Sequence, residues 1–122
     1  MSFRFRNFKV YQDSKTLHLR IAFLTQSFPR SDLYLADQIR RSSLSIVLNI
    51  AEGSSKQSDK DFNRFLAISL GSVDETVACL EIALEKKIIR DMEFNRLVDA
   101  CEGISKQLGG LSKALKNKTF KG

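Results

Sequence analysis

Tryptophan is absent from this chain, histidine and proline each occur once, and cysteine occurs twice among 122 residues. Each shortage removes a class of answer. With one proline and six glycines the chain is poor in turn formers, which predicts few elements and long ones. No apolar run approaches the roughly 20 residues that span a bilayer, the longest candidate being LSIVLNIA at 44–51. The basic start MSFRFRNFKV leads into no signal-like apolar stretch. A cytoplasmic protein with no membrane partner is expected.

The same scarcity argues against catalysis. Cys79 and Cys101 have no CxxC spacing, and His18 has no second histidine with which to share a metal. Both cysteines are read as reduced, buried, small apolar residues, and no metal or cofactor is expected. No Ser-His, Cys-His or clustered carboxylate arrangement can be read. Asp59 with Asp61, and Asp74 with Glu75, are pairs in sequence only, because such neighbours on a helix point about 100° apart or more. The chain is read as a non-enzyme with no catalytic residue.

What is abundant is helix periodicity. Val10, Ser14, Leu17, Ile21, Leu24 and Phe28 recur at fours and threes, predicting a first helix stopped at Phe28-Pro29. Ser31 or Asp32 is placed to cap a second helix, whose core stripe is Leu35, Ile39, Ile46 and Ile50, and which ends where Gly53 can turn left-handed. Ser58, with Asp61 three residues on, caps a third, in which Phe62, Phe65, Leu66, Ser69, Val73, Thr76 and Leu80 share one arc of about 120°. A fourth runs from Met92 to Leu115 on Phe94, Leu97, Cys101, Ile104, Leu108 and Leu111, with Gly103 and Gly110 on another face, where a second backbone is expected to approach. Short connections between four amphipathic helices predict an all-α, antiparallel up-down-up-down four-helix bundle. It forms one domain over 1–122, with an N-terminal arm at 1–9 and a basic tail at 116–122.

One bundle needs one apolar stripe per helix, yet the second and third helices carry another. Leu44, Leu48 and Ala51 lie more than about 100° from the core stripe, beyond a polar ridge holding Arg41, Asn49 and Glu52. Ile68, Gly71, Cys79 and Ile82 lie opposite the core arc of the third helix, with Glu75 beside them. These eleven residues are the expected interface of a homo-oligomer, with Arg41 and Glu52 as an ion pair spanning subunits, since monomers rarely expose so large an apolar patch.

The formal charge of +6, from 20 basic and 14 acidic residues, points to phosphate. Candidate nucleic-acid contacts are Arg4, Arg6, Lys9, Arg40, Lys56, Lys60, Arg64, Lys113, Lys116 and Lys118. In the arm, Phe3, Phe5 and Phe8 alternate with Arg4 and Arg6, a pattern suited either to stacking bases or to covering the end of the bundle. Two readings stay open: a binder of RNA or DNA, or a structural or protein-docking assembly in which the charge serves solubility.

One stretch narrows the field: DLYLADQIRRSSLSIVLNIAEGSSKQSDKDFNRFLAISLGSVDE. It resembles the signature of the bacterial four-helix-bundle family named for proteins encoded in 23S ribosomal RNA intervening sequences. The resemblance rests on Gln38, Arg40, Arg41, Ser45, Ile46, the run Asn49 to Gly53, Phe62, Phe65, Leu66, Gly71, Ser72 and Glu75. Ser42, Ser43 and Val47-Leu48 depart from it. What the resemblance implies is a bundle that assembles as a ring, a homopentamer. It further implies kinship with the accessory proteins of diversity-generating retroelements, whose partners are a reverse transcriptase and nucleic acid.

Overall fold

The computed structural model describes residues 3–121, with side chains through Lys118. Four helices carry the chain: α1 (Lys9–Thr25), α2 (Leu33–Ser54), α3 (Asp59–Glu85) and α4 (Asp91–Lys121), and no strand occurs among the described residues. Hydrogen bonds fix their register. His18 meets Ser43 and Arg40 meets Thr25, while Ser42 meets Thr76 and Ser45 meets Ser72, so numbers rise on one helix as they fall on the next. Asp13 with Gln107, and Asn63 with Ser112, close the square. The result is the expected four-helix bundle, in which α1 packs on α2 and α4, α3 packs on α2 and α4, and no helix meets its diagonal neighbour among the described residues.

The core is what the periodicity predicts. Ile21, Ile39, Ile46, Ile50, Leu66, Leu80, Ile104 and Leu108 are fully buried, each contributing about 1.5–3 kcal/mol by leaving water. Small hydroxyl residues line the α2–α3 seam and let these two helices come close. Thr76 Oγ1 donates to Ser42 Oγ at 2.8 Å, Ser42 donates on to Ile39 O, and Ser69 donates to Ile46 O at 2.7 Å. Buried hydroxyls are tolerable here because they are bonded.

Helix ends show where local chemistry overrides simple signals. Ser58 does accept from Asp61 N, at 3.1 Å. Asp32 occupies the cap position of α2 without capping it; its carboxylate pairs instead with Lys86 Nζ at 3.1 Å, joining the two turns at that end of the bundle. Gly53 does not end α2 in a left-handed conformation, since no glycine among the described residues has positive φ. It lies inside the helix because a Cβ there would come within 2.7 Å of Phe65 Cβ. Two non-glycine residues are left-handed, Phe3 in the arm and Lys87, both at φ 63°; Lys87 closes α3 with bonds from Lys87 N to Leu84 O and from Ile88 N to Ala83 O. Helix α4 continues through the expected tail as far as Lys121, and Gly122 lies outside the described residues. Among the described residues nothing lies within 4 Å of a Cβ added at Gly103 or Gly110, so no backbone of the same subunit makes the expected approach there.

Candidate nucleic-acid interface

Antiparallel packing brings three distant segments to one end: the arm at 3–9, the α2–α3 connection with its flanking turns at 52–64, and α4 from Lys113 onward. Arg4, Arg6, Lys9, Lys56, Lys60, Arg64, Lys113, Lys116 and Lys118 gather there against only Glu52, Asp59 and Asp61. With Lys121, these three segments hold ten of the 20 basic residues against three of the 14 acidic ones, an excess of +7. The rest of the chain, with 10 basic and 11 acidic residues, sums to −1, so the molecule is electrostatically polar from end to end.

The cations at this end fall into two groups. Arg4 is committed to the fold: its Nε donates to Ser54 O at 3.0 Å, satisfying a carbonyl in the last turn of α2. Its guanidinium also lies over the rings of Phe62 and Phe8, at 5.4 and 6.0 Å. Lys9 pairs with Asp13 at 2.7 Å, and that contact, with a bond from Gln107, holds the Asp13 carboxyl below its ordinary value. Lys56 and Arg64 both lie against the Phe65 ring, at 5.0 and 4.7 Å, and Arg64 also reaches Asp61 at 3.7 Å. Arg6, Lys60, Lys113, Lys116 and Lys118 are exposed, and among the described residues their side chains have no ion pair or ring contact. These five are the free charges of the end.

Aromatic residues of the arm mostly serve packing. Phe8 stacks on Phe62 at 6.4 Å and Phe5 meets Tyr11 edge-on at 4.8 Å, while Phe3 stands 66% exposed. Of the three, Phe3 alone is available to stack a base. Amides of the 53–58 connection are partly used, with Ser55 N bonded to Glu52 O and Lys56 N to Gly53 O. Arg40 does not join the cluster. It lies near the opposite end, bonded to Asp37 at 2.7 Å and to Thr25 Oγ1 at 3.1 Å.

The face of α2 and α3 opposite the core presents Leu44, Leu48, Ile68 and Ile82 to solvent, 40–53% exposed. Arg41, Glu52, Gly71 and Glu75 are exposed among them, and Asn49 and Ala51 are half-buried. Glu75 accepts a hydrogen bond from Gln38. Asn49 turns its amide back onto Ser45 O at 2.9 Å. Arg41 and Glu52 make no ion pair among the described residues. Cys79 does not belong to this face: it is 6% exposed and part of the core, because the buried arc of α3 widens where Thr76, Leu80 and Ala83 are all enclosed. Burial pushes its thiol up, with help from Glu75, and pushes that of Cys101 up to about 12. Neither is poised as a nucleophile. No group of three His, Cys, Asp or Glu side chains among the described residues is arranged to hold a metal ion, and no helix among them is long and apolar enough to cross a membrane.

With the bundle and its polar charge in view, comparison with known proteins is decisive for lineage. A family model described as 23S rRNA-intervening sequence protein matches residues 6–110. The chain belongs to this family. A crystal structure of a protein of unknown function from the S23 ribosomal protein family, from Bacteroides thetaiotaomicron VPI-5482, is similar at 28% identity with a TM-score of 0.81. The match covers 85% of this chain and 98% of that one. Among curated proteins none matches. The family match spans the Gln38 to Glu75 signature but stops before Lys113, Lys116 and Lys118, so it excludes the basic end of α4.

Proposed function

We propose that the protein is a non-enzymatic, self-associating bundle of the cytoplasm that binds RNA or DNA, alone or within a nucleoprotein, through its basic end. The observation that carries this reading is the collection of ten cations against three acids at one end, while the rest of the chain is nearly neutral, five of those cations being exposed and unpaired among the described residues. Charge that served solubility alone would gain nothing from such concentration, whereas phosphate backbones bind in proportion to the cations presented together. Self-association through the exposed α2–α3 face would set several such ends side by side and multiply the effect. Labelled single-stranded RNA and DNA, titrated with protein at roughly 50 mM salt, should shift, and the shift should weaken steeply as salt rises. No shift at low salt with either would sink the proposal.

A second reading is a structural or protein-docking assembly, favoured by the apolar α2–α3 face, which runs along the side of the bundle and exposes Leu44, Leu48, Ile68 and Ile82. It predicts association that salt barely affects, because apolar burial releases no counterions.

A further inference from the structure

Among the described residues of the three segments that form the basic end, Phe3 is the one large apolar side chain left mostly in water, at 66% exposed. The other arm rings are occupied: Phe8 stacks on Phe62, and Phe5 is half-buried against Tyr11. We propose that Phe3 is a stacking platform for an unpaired base, so that the basic end selects single strands of RNA or DNA over duplex. This rests on nucleic-acid binding at that end and names its substrate class.

Three observations direct the ring toward a ligand. The arm that carries it is anchored, since Arg4 Nε donates to Ser54 O at 3.0 Å and Gln12 Nε2 donates to Arg6 O at 2.9 Å. A ring on a fixed support loses little freedom when it binds. Second, the backbone at Phe3 is left-handed, φ 63° and ψ 39°, a region that bulky residues rarely enter. Phe3 O accepts from Arg6 N at 3.1 Å, and the ring meets Phe5 edge-on with centroids 6.2 Å apart. A strained residue whose apolar ring stays in water contributes little to the fold, and such strain concentrates where a side chain must be presented. Third, free cations surround it in sequence and in space: Arg6 lies one turn away, and Lys60, Lys113, Lys116 and Lys118 share the same end. Ring and cations together suit a single strand, whose phosphates meet the charges while a base face meets the ring. Bases in a duplex already have neighbours on both faces, so Phe3 could stack there only by unstacking a step.

Charge alone favours the duplex, which carries the denser row of phosphates, so a preference for single strands reports the ring. Labelled RNA and DNA of mixed sequence are titrated at equal salt, each free and annealed to its complement, together with a strand of the same length that lacks bases. Wild type should bind each single strand more tightly than its duplex and than the abasic strand. Phe3→Ala should weaken single-strand binding by roughly 5-fold or more, with duplex binding, salt slope and Tm unchanged, because it removes neither a charge nor a buried side chain. Phe3→Trp should retain the wild-type affinity. A duplex bound at least as tightly as its single strand, or a Phe3→Ala protein equal to wild type on single strands, would overturn the stacking platform and leave phosphate binding at the basic end standing. A wild type that binds none of these probes would overturn nucleic-acid binding itself.

Discussion

Replacing Gly53 by alanine should destabilise the protein, although the same change ordinarily stabilises a helix by about 1 kcal/mol. The added Cβ would lie 2.7 Å from Phe65 Cβ and 3.0 Å from Phe62 Cδ1, where carbon atoms prefer about 3.5–4.0 Å. Phe65 Cβ is fixed to the α3 backbone and cannot rotate away, so α2 and α3 must part. Phe62 cannot yield freely either, since its ring stacks on Phe8 and lies under Arg4. Overpacking costs roughly 1–3 kcal/mol; because neither phenylalanine can yield, the upper part of that range, about 2–3 kcal/mol, applies, and the helix gain of about 1 kcal/mol offsets only part. We expect a net loss of about 1–2 kcal/mol, read as a fall in Tm of roughly 4 °C per kcal/mol for a domain of this size. Gly103→Ala is the control, because nothing lies within 4 Å of its added Cβ, and it should gain up to about 1 kcal/mol. Thermal melts followed by far-UV circular dichroism decide the matter. A Gly53→Ala protein as stable as wild type, beside a stabilised Gly103→Ala, would refute the close-approach argument.

Arg4→Ala should lower stability by about 1 kcal/mol, through loss of its bond to Ser54 O and its contact with the Phe62 ring. It should leave the salt dependence of nucleic-acid binding close to wild type; a large drop in that slope would show Arg4 to be a phosphate contact. His18 gives a pH signature. Burial depresses its pKa from the ordinary 6.5, so below about pH 6.5 the unfolded chain takes up a proton more readily than the folded one. The stability held above that pH should fall as pH drops from 6.5 through the folded-state value, and His18→Gln should flatten this part of the profile in urea melts. An identical profile for the variant would remove His18 from the account.

How much could be read beforehand depended on whether a feature was local. Ile39, Ile46 and Ile50 announced the core of α2 by period alone, and Ser58 with Asp61 announced the start of α3. Lys87 gave no signal, because the left-handed turn there is made by a lysine rather than a glycine and is closed by backbone bonds to Leu84 O and Ala83 O. Gly53 carried the opposite confusion: its flexibility was legible, while its true reason, contact with Phe65 across the seam, is tertiary. Cys79 sat on the outer arc of an ideal helix and was enclosed by its neighbours. Past Leu115 the apolar period stops but helix-favouring Lys116 and Lys118 continue α4, so absence of a buried stripe did not mean absence of helix. The basic end was least visible, since its residues come from three segments that only the antiparallel fold unites, while Arg40, similar in sequence terms, falls elsewhere.

That end is tested most directly by removing the same amount of charge from either end in turn. Lys60, Lys113 and Lys116 reversed to Glu, and separately Arg30, Lys87 and Arg90 reversed to Glu near the opposite end, each take the formal charge from +6 to zero. Binding of labelled RNA and DNA is followed across a salt series for both variants and wild type. The basic-end variant should bind far more weakly, its slope of log K against log salt reduced by about 2 for three lost phosphate contacts on a single strand. The opposite-end variant should retain most of the affinity and the slope. Equal loss in both variants, or none in the first, would contradict a binding site at the basic end.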